Sequence, residues 1–219
     1  MLEISANKLN RTPNPILERA PLLTQNIGVQ SCTYLRKAGK RTYENRMYQK
    51  RAENQIGHMP ELGETLHMVV SVSYRTVDLI PAWLALKAPE PITELYIATL
   101  SFNRGCLDLI LELIDHGDVE RFAFVVSTFS KNLETAMWNY AVEQIRGRGH
   151  RIVAMFNHCK VICARFADGT AYTAEGSANI RSHTSTENVA ITHDLGLFEF
   201  HKKWMDGVLK KPDLEGKQR

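Results

Sequence analysis

ITELYIATLSF (92–102), CLDLILELIDHG (106–117), RFAFVVSTF (121–129) and HRIVAMF (150–156) are the segments on which the fold is decided. The first, third and fourth are short apolar runs with β-branched and aromatic residues, and each reads as a strand. The second repeats apolar residues at helical spacing and stops at Gly117, so it reads as an amphipathic helix. A second helix is expected over 131–147, where Leu133, Met137, Tyr140, Ala141 and Ile145 share a face. Strand, helix, strand, helix, strand implies right-handed crossovers and a sheet covered on both faces. The expected fold is therefore α/β, with a mixed, mostly parallel sheet flanked by helices.

Working outward, LHMVVSV (66–72) is a short strand or the lead into a helix at 76–88, in which Val77, Ile80 and Leu84 form an apolar face. Pro81 falls near that helix's first turn, where its missing N–H costs little. On the other side, paired strands at 158–166 and 171–175 are joined through Asp168-Gly169, a good reversal signal. A last strand at 187–192 and a helix at 195–210 follow. Residues 1–30 hold Pro13, Pro15 and Pro21 with no sustained periodicity, residues 31–57 are mixed, polar and partly helical, and residues 1–60 together read as an irregular basic N-terminal arm. Residues 61–219 then form the compact domain, and no internal repeat is evident.

The chain has 219 residues, of which 44% are hydrophobic, enough for one good-sized core. No stretch approaches the run of about 20 apolar residues that spans a bilayer. The start has no apolar h-region, so neither a signal peptide nor a membrane partner is expected, and the implied location is cytoplasmic. Cys32, Cys106, Cys159 and Cys163 show no C-x-x-C spacing and read as free thiols. Charge is uneven: residues 1–60 hold ten Lys/Arg against four Asp/Glu, whereas the remainder holds 17 against 20. The basic excess gathers in LRKAGKRTYENRMYQKR (35–51), which together with Tyr34 suits a phosphate backbone and stacked bases, or equally a solvated or packing face.

The chemistry sits in HCKVICARFADGTAYTAEGSANIRSHTSTEN (158–188). In extended chain, side chains alternate, so His158 and Lys160 point one way and Cys159 and Val161 the other. Attack on phosphorus needs a nucleophile, donors for the nonbridging oxygens and an acid for the leaving oxygen. An imidazole can attack and form a phosphohistidine. Lys160 and the Asn179 amide can hold the oxygens. Gly176 lets the chain turn close to the phosphate, and the Ser177 hydroxyl can donate to it or brace the turn. Glu187 is suited to hold the His158 Nδ1 proton and leave Nε2 to attack. Arg104, just past the 92–102 strand, and His183, in a polar loop, are further candidates for contact with the substrate. No carboxylate cluster or His/Cys set has credible ligand spacing, so neither a metal nor another cofactor is expected.

These residues resemble the phospholipase D-like superfamily, whose signature is H-x-K, an aspartate five residues after the lysine, and G-S-x-N. His158, Lys160, Gly176, Ser177 and Asn179 carry the resemblance, and Glu187 matches an acidic residue common in the nuclease branch. The position five after Lys160 is Arg165, which departs from the pattern; Asp168 comes later, in the turn. The resemblance implies a phospholipase D-like domain over about 66–210 and a metal-independent reaction. It also implies two facing H-x-K elements. This chain has one, so the second is expected from a twofold-related copy, with the site across a homodimer interface.

The function expected is a phosphodiesterase or endonuclease hydrolysing DNA, or RNA, because the small single-copy domain resembles the nuclease branch and the basic arm suits a polyanion. Two alternatives stand beside it. One is a phospholipase D-type enzyme acting on phospholipid, and the other a silent nucleic-acid-binding or assembly protein that keeps the fold.

Overall fold

The computed structural model describes residues 40–71, 73–181 and 185–210. Its centre is the strand pair β2 (Ile92–Thr99) and β3 (Phe122–Ser127), which run parallel with Leu95 opposite Phe122 and Thr99 opposite Val126. Both strands are buried along nearly their whole length, as strands covered on two faces must be. Alternation assigns their side chains. Leu95, Ile97, Phe122, Phe124 and Val126 enter one core; Tyr96, Ala98, Ala123 and Val125 enter the other.

Three helices fill the first core: α2 (Leu79–Lys87), α3 (Arg104–Asp115) and α5 (Thr135–Gly147). Helix α1 (Lys40–Ile56) adds Ala52 and Ile56 to the same core. The short α4 (Thr128–Leu133) precedes α5. One helix was expected over 131–147, but Glu134, at φ −127° and ψ 56°, separates α4 from α5. The second core is closed by α6 (Leu195–Leu209), through Phe198 and Met205.

The remaining strands are β1 (Thr65–Val70), β4 (Arg151–Met155), β5 (Val161–Phe166), β6 (Ala171–Gly176) and β7 (Glu187–His193). Among the described residues one sheet runs β1-β7-β6-β5-β2-β3-β4. Here the expectation of a mostly parallel sheet is corrected. Only β2–β3 and β3–β4 are parallel; β1–β7, β7–β6, β6–β5 and β5–β2 are antiparallel. The helical crossovers stop at β4. Between β4 and β5 lie only residues 156–160, far short of the dozen or so that a parallel return needs. From there each strand reverses the one before it: β5 and β6 through the Asp168-Gly169 turn, β6 and β7 through residues 177–186.

In that turn Gly169 has φ 86°, and the Asp168 carboxylate accepts from the Thr170 backbone N–H at 2.9 Å. A buried ion pair anchors the entry to α2. The Asp78 carboxylate is fully buried and accepts from the Arg75 backbone N–H at 2.7 Å, from Nε at 3.0 Å and from Nη2 at 2.5 Å. Arg75 Nη2 also donates to Asn45 Oδ1 at 2.8 Å. Burial raises the Asp78 pKa, against the opposing pull of Arg75. No helix of the described residues is long and apolar enough to cross a membrane.

Candidate active site

The site lies where β4 gives way to β5. Residues 156–160 carry the chain from β4, past the ends of β3 and β2, to β5. Three interstrand steps amount to about 14 Å, a distance that the six Cα steps from Met155 to Val161 cover without full extension. His158 and Lys160 were expected within a strand starting at 158. They instead precede β5, which opens at Val161. The span has no strand ladder of its own, yet both side chains line the same recess.

Lys160 Nζ lies 3.0 Å from His158 Nδ1 and donates to the His158 carbonyl at 2.7 Å. Burial pulls the Lys160 pKa below the ordinary lysine value, while Cys159 and Glu187 act in the opposite sense. The second half of the motif arrives on β6. Gly176 N–H donates to the Lys160 carbonyl at 3.3 Å, which fixes the two halves side by side. His158, Lys160, Gly176, Ser177 and Asn179 line one open recess of about 400 Å³, together with Leu100.

The reason for glycine at 176 lies in the sheet. A Cβ there would sit 2.0 Å from the Asn188 carbonyl oxygen on β7, and that oxygen belongs to rigid backbone. Gly176→Ala is expected to destabilise the fold by about 1–3 kcal/mol or more, because β6 and β7 must separate. Urea unfolding checks this, and an unchanged midpoint would contradict the close approach.

Of the two roles open to Ser177, its hydroxyl takes the bracing one. It donates to the Glu187 carboxylate and accepts from the Asn188 N–H at 3.1 Å. Glu187 was expected to hold His158 Nδ1. Among the described residues its carboxylate binds Ser177, and Nδ1 faces Lys160. Arg104 does not line the recess: its guanidinium lies 3.9 Å from the centre of the Tyr140 ring and pairs with Asp108 at 3.5 Å. His183 lies outside the described residues. Arg165 turns away from Lys160, as odd spacing requires. It pairs with Glu199 and, at 3.4 Å, with the buried Glu94 on the α6 side of the sheet.

Two residues at the recess carried no motif. Thr99, the last residue of β2, contacts Asn179 Oδ1 through its hydroxyl at 3.3 Å. Asn157 packs beneath the His158 segment, with its amide bonded to Thr99 and Val125 carbonyls. The rule that crevices of open sheets lie beyond carboxyl strand ends points to Thr99's position. For Asn157 the only signal is adjacency to His158. Among the described residues no group of three or more His, Cys, Asp or Glu side chains is arranged to hold a metal ion.

No family model matches the chain, and no curated protein matches it. Among solved structures the chain is similar to Nuc, a phospholipase D family member from Salmonella typhimurium. Identity is 18% and the TM-score 0.49, over 66% of this chain and 94% of that one. It is also similar to polyphosphate kinase from Porphyromonas gingivalis, at 15% identity and TM-score 0.49, over 75% of this chain and 27% of that one. Phosphatidylserine synthase from Haemophilus influenzae Rd KW20 follows at 11% identity and TM-score 0.44, over 69% of this chain and 40% of that one. Each likeness is remote.

Proposed function

We propose that this chain is a phosphodiesterase that cleaves nucleic acid, DNA in the first instance, through a phosphohistidine on His158. The observation that carries the reading is the gathering of His158, Lys160 and Asn179 around one open recess, from the two arms of the β5–β6 hairpin. A nucleophile, a cation and an amide donor are the parts that attack on a phosphodiester requires.

In the proposed reaction Nε2 of His158 bonds to phosphorus and the bond from phosphorus to the leaving oxygen breaks. The leaving oxygen takes a proton from a second imidazole, and water then displaces the histidine. Attack through Nε2 needs Nδ1 protonated. Lys160 must therefore leave Nδ1, and a phosphate oxygen entering the recess gives its ammonium a stronger partner. The second imidazole is His158 of a twofold-related copy, since the motif occurs once per chain.

The test is cleavage of single- and double-stranded oligonucleotides in EDTA by the intact protein and by His158→Ala, with short-chain phosphatidylcholine as the competing substrate. Cleavage of nucleic acid by the wild type alone supports the proposal. Turnover of the lipid alone moves the site to phospholipase chemistry. Salt-sensitive binding of DNA without cleavage makes the site a silent one. Adding an excess of His158→Ala to the wild type and allowing subunits to exchange should lower activity if sites are shared between copies, because a hybrid dimer keeps only one of the two imidazoles the site needs.

A further inference from the structure

The span that carries His158 makes no strand ladder, so something else must set its height above the sheet. Asn157 does. Its side chain is buried, 7% exposed, and spends every hydrogen-bonding group it faces inward. Nδ2 donates to the Thr99 carbonyl at 3.3 Å and to the Val125 carbonyl at 3.4 Å, the carboxyl ends of β2 and β3. Oδ1 accepts from the Cys159 N–H at 2.8 Å. These partners fix the amide's orientation, since turning it over would set an oxygen against two carbonyls and an NH₂ against an N–H.

Thr99 is the other half of the device. It is fully buried, and its hydroxyl lies 3.3 Å from Asn179 Oδ1 and 3.1 Å from the Ser101 carbonyl. The Ile180 N–H points at the same hydroxyl from 3.5 Å. One residue at the tip of β2 therefore touches both halves of the motif. Its carbonyl holds the His158 span through Asn157, and its hydroxyl holds the Asn179 loop. Asn179 itself lines the recess, where a phosphate oxygen would need a donor.

We infer that Asn157 and Thr99 are positioning residues that set the separation between the His158 nucleophile and the Asn179 amide. The inference rests on the proposed phosphodiesterase reading for the roles of His158 and Asn179. It does not need that reading for the geometry. A buried Asn and Thr that merely held the fold would lower stability and leave turnover per folded molecule unchanged. Positioning residues lower turnover, because a misplacement of about 1 Å can cost on the order of 10²-fold in rate.

The experiment compares Asn157→Ala, Thr99→Val and Thr99→Ser with wild type and His158→Ala, using bis(4-nitrophenyl) phosphate and a labelled oligonucleotide, with rates corrected for the folded fraction. Asn157→Ala and Thr99→Val should each lower kcat by about 10–100-fold with KM little changed. Thr99→Ser, which keeps the hydroxyl, should restore kcat to within a few fold. The double variant should lose much less than the product of the single losses, because both act on one distance. Amide exchange at Cys159 should quicken at least about tenfold in Asn157→Ala. Wild-type kcat in both single variants, or a fully multiplicative double variant, overturns the inference. If His158→Ala cleaves as well as wild type, the functional reading falls instead. The brace is then judged by exchange alone, and an unchanged Cys159 rate overturns it.

Discussion

Replacing His158 with alanine is expected to lower phosphodiester cleavage by about 10⁴-fold or more, as loss of a covalent nucleophile does elsewhere, while leaving the fold unchanged. The side chain is exposed, and its ring Nδ1 lies 3.0 Å from Lys160 Nζ. Lys160 also binds the backbone carbonyl of residue 158, which an alanine retains. Lys160→Ala should cost less, on the order of 10²–10³ in rate, the range seen when one donor to a developing oxyanion is removed. Glu187→Gln should act differently from either. Its carboxylate receives the Ser177 hydroxyl, so an amide that still accepts there should preserve the Gly176–Asn179 turn and lower the rate only modestly. Steady-state rates with equal amounts of folded protein decide the order. A His158→Ala variant that cleaves normally would remove the basis for the mechanism.

The largest expected loss of stability is at Arg75. Asp78 is fully buried and receives three hydrogen bonds from Arg75, one of them from its backbone. Arg75→Met keeps much of the side-chain volume but strips the carboxylate of its counter-charge. Breaking a buried pair in this way typically costs about 3–5 kcal/mol, and with Asn45 also losing its donor this substitution belongs at the upper end. The double variant Arg75→Met, Asp78→Leu should recover most of the loss, because no unpaired buried charge remains. Urea denaturation of the two variants checks both statements. If the single variant unfolds at the wild-type midpoint, the pair contributes nothing and the packing around α2 alone holds that corner.

The two parallel crossovers were legible because each element there carries its own period. Short apolar runs at 92–99, 122–127 and 151–155 enclose helices long enough to show a stripe. The direction of the other strands was not legible from pattern, since a buried strand has the same alternation whichever way it runs. It was legible from spacing: residues 156–160 are too few for a return crossover, and that arithmetic outweighs the alternation that suggested a mostly parallel sheet. The hairpin at Asp168-Gly169 announced itself through turn chemistry.

At the site, the motif residues were readable because nucleophile, cation and amide are distinctive side chains at fixed offsets. Their partners were not. That Glu187 meets Ser177 follows from the β6–β7 register, in which Gly176 faces Val189, and no local pattern encodes that register. Arg104 looked available at a strand's carboxyl end, but Tyr140, 36 positions on, sits under its guanidinium. Asn157 and Thr99 are ordinary polar residues in sequence. They become informative only when burial shows that each carries its hydrogen bonds away from water.

The most direct measurement is the covalent intermediate itself. Wild-type protein is mixed with a phosphorus-labelled oligonucleotide in EDTA, quenched in alkali within the first turnovers, digested and mapped. The expected result is label on the peptide containing His158, stable in alkali and released by acid as a nitrogen–phosphorus bond should be, and absent from His158→Ala. Cleavage that proceeds with no label on that peptide, or that stops in EDTA and returns with an added metal ion, would contradict the phosphohistidine mechanism.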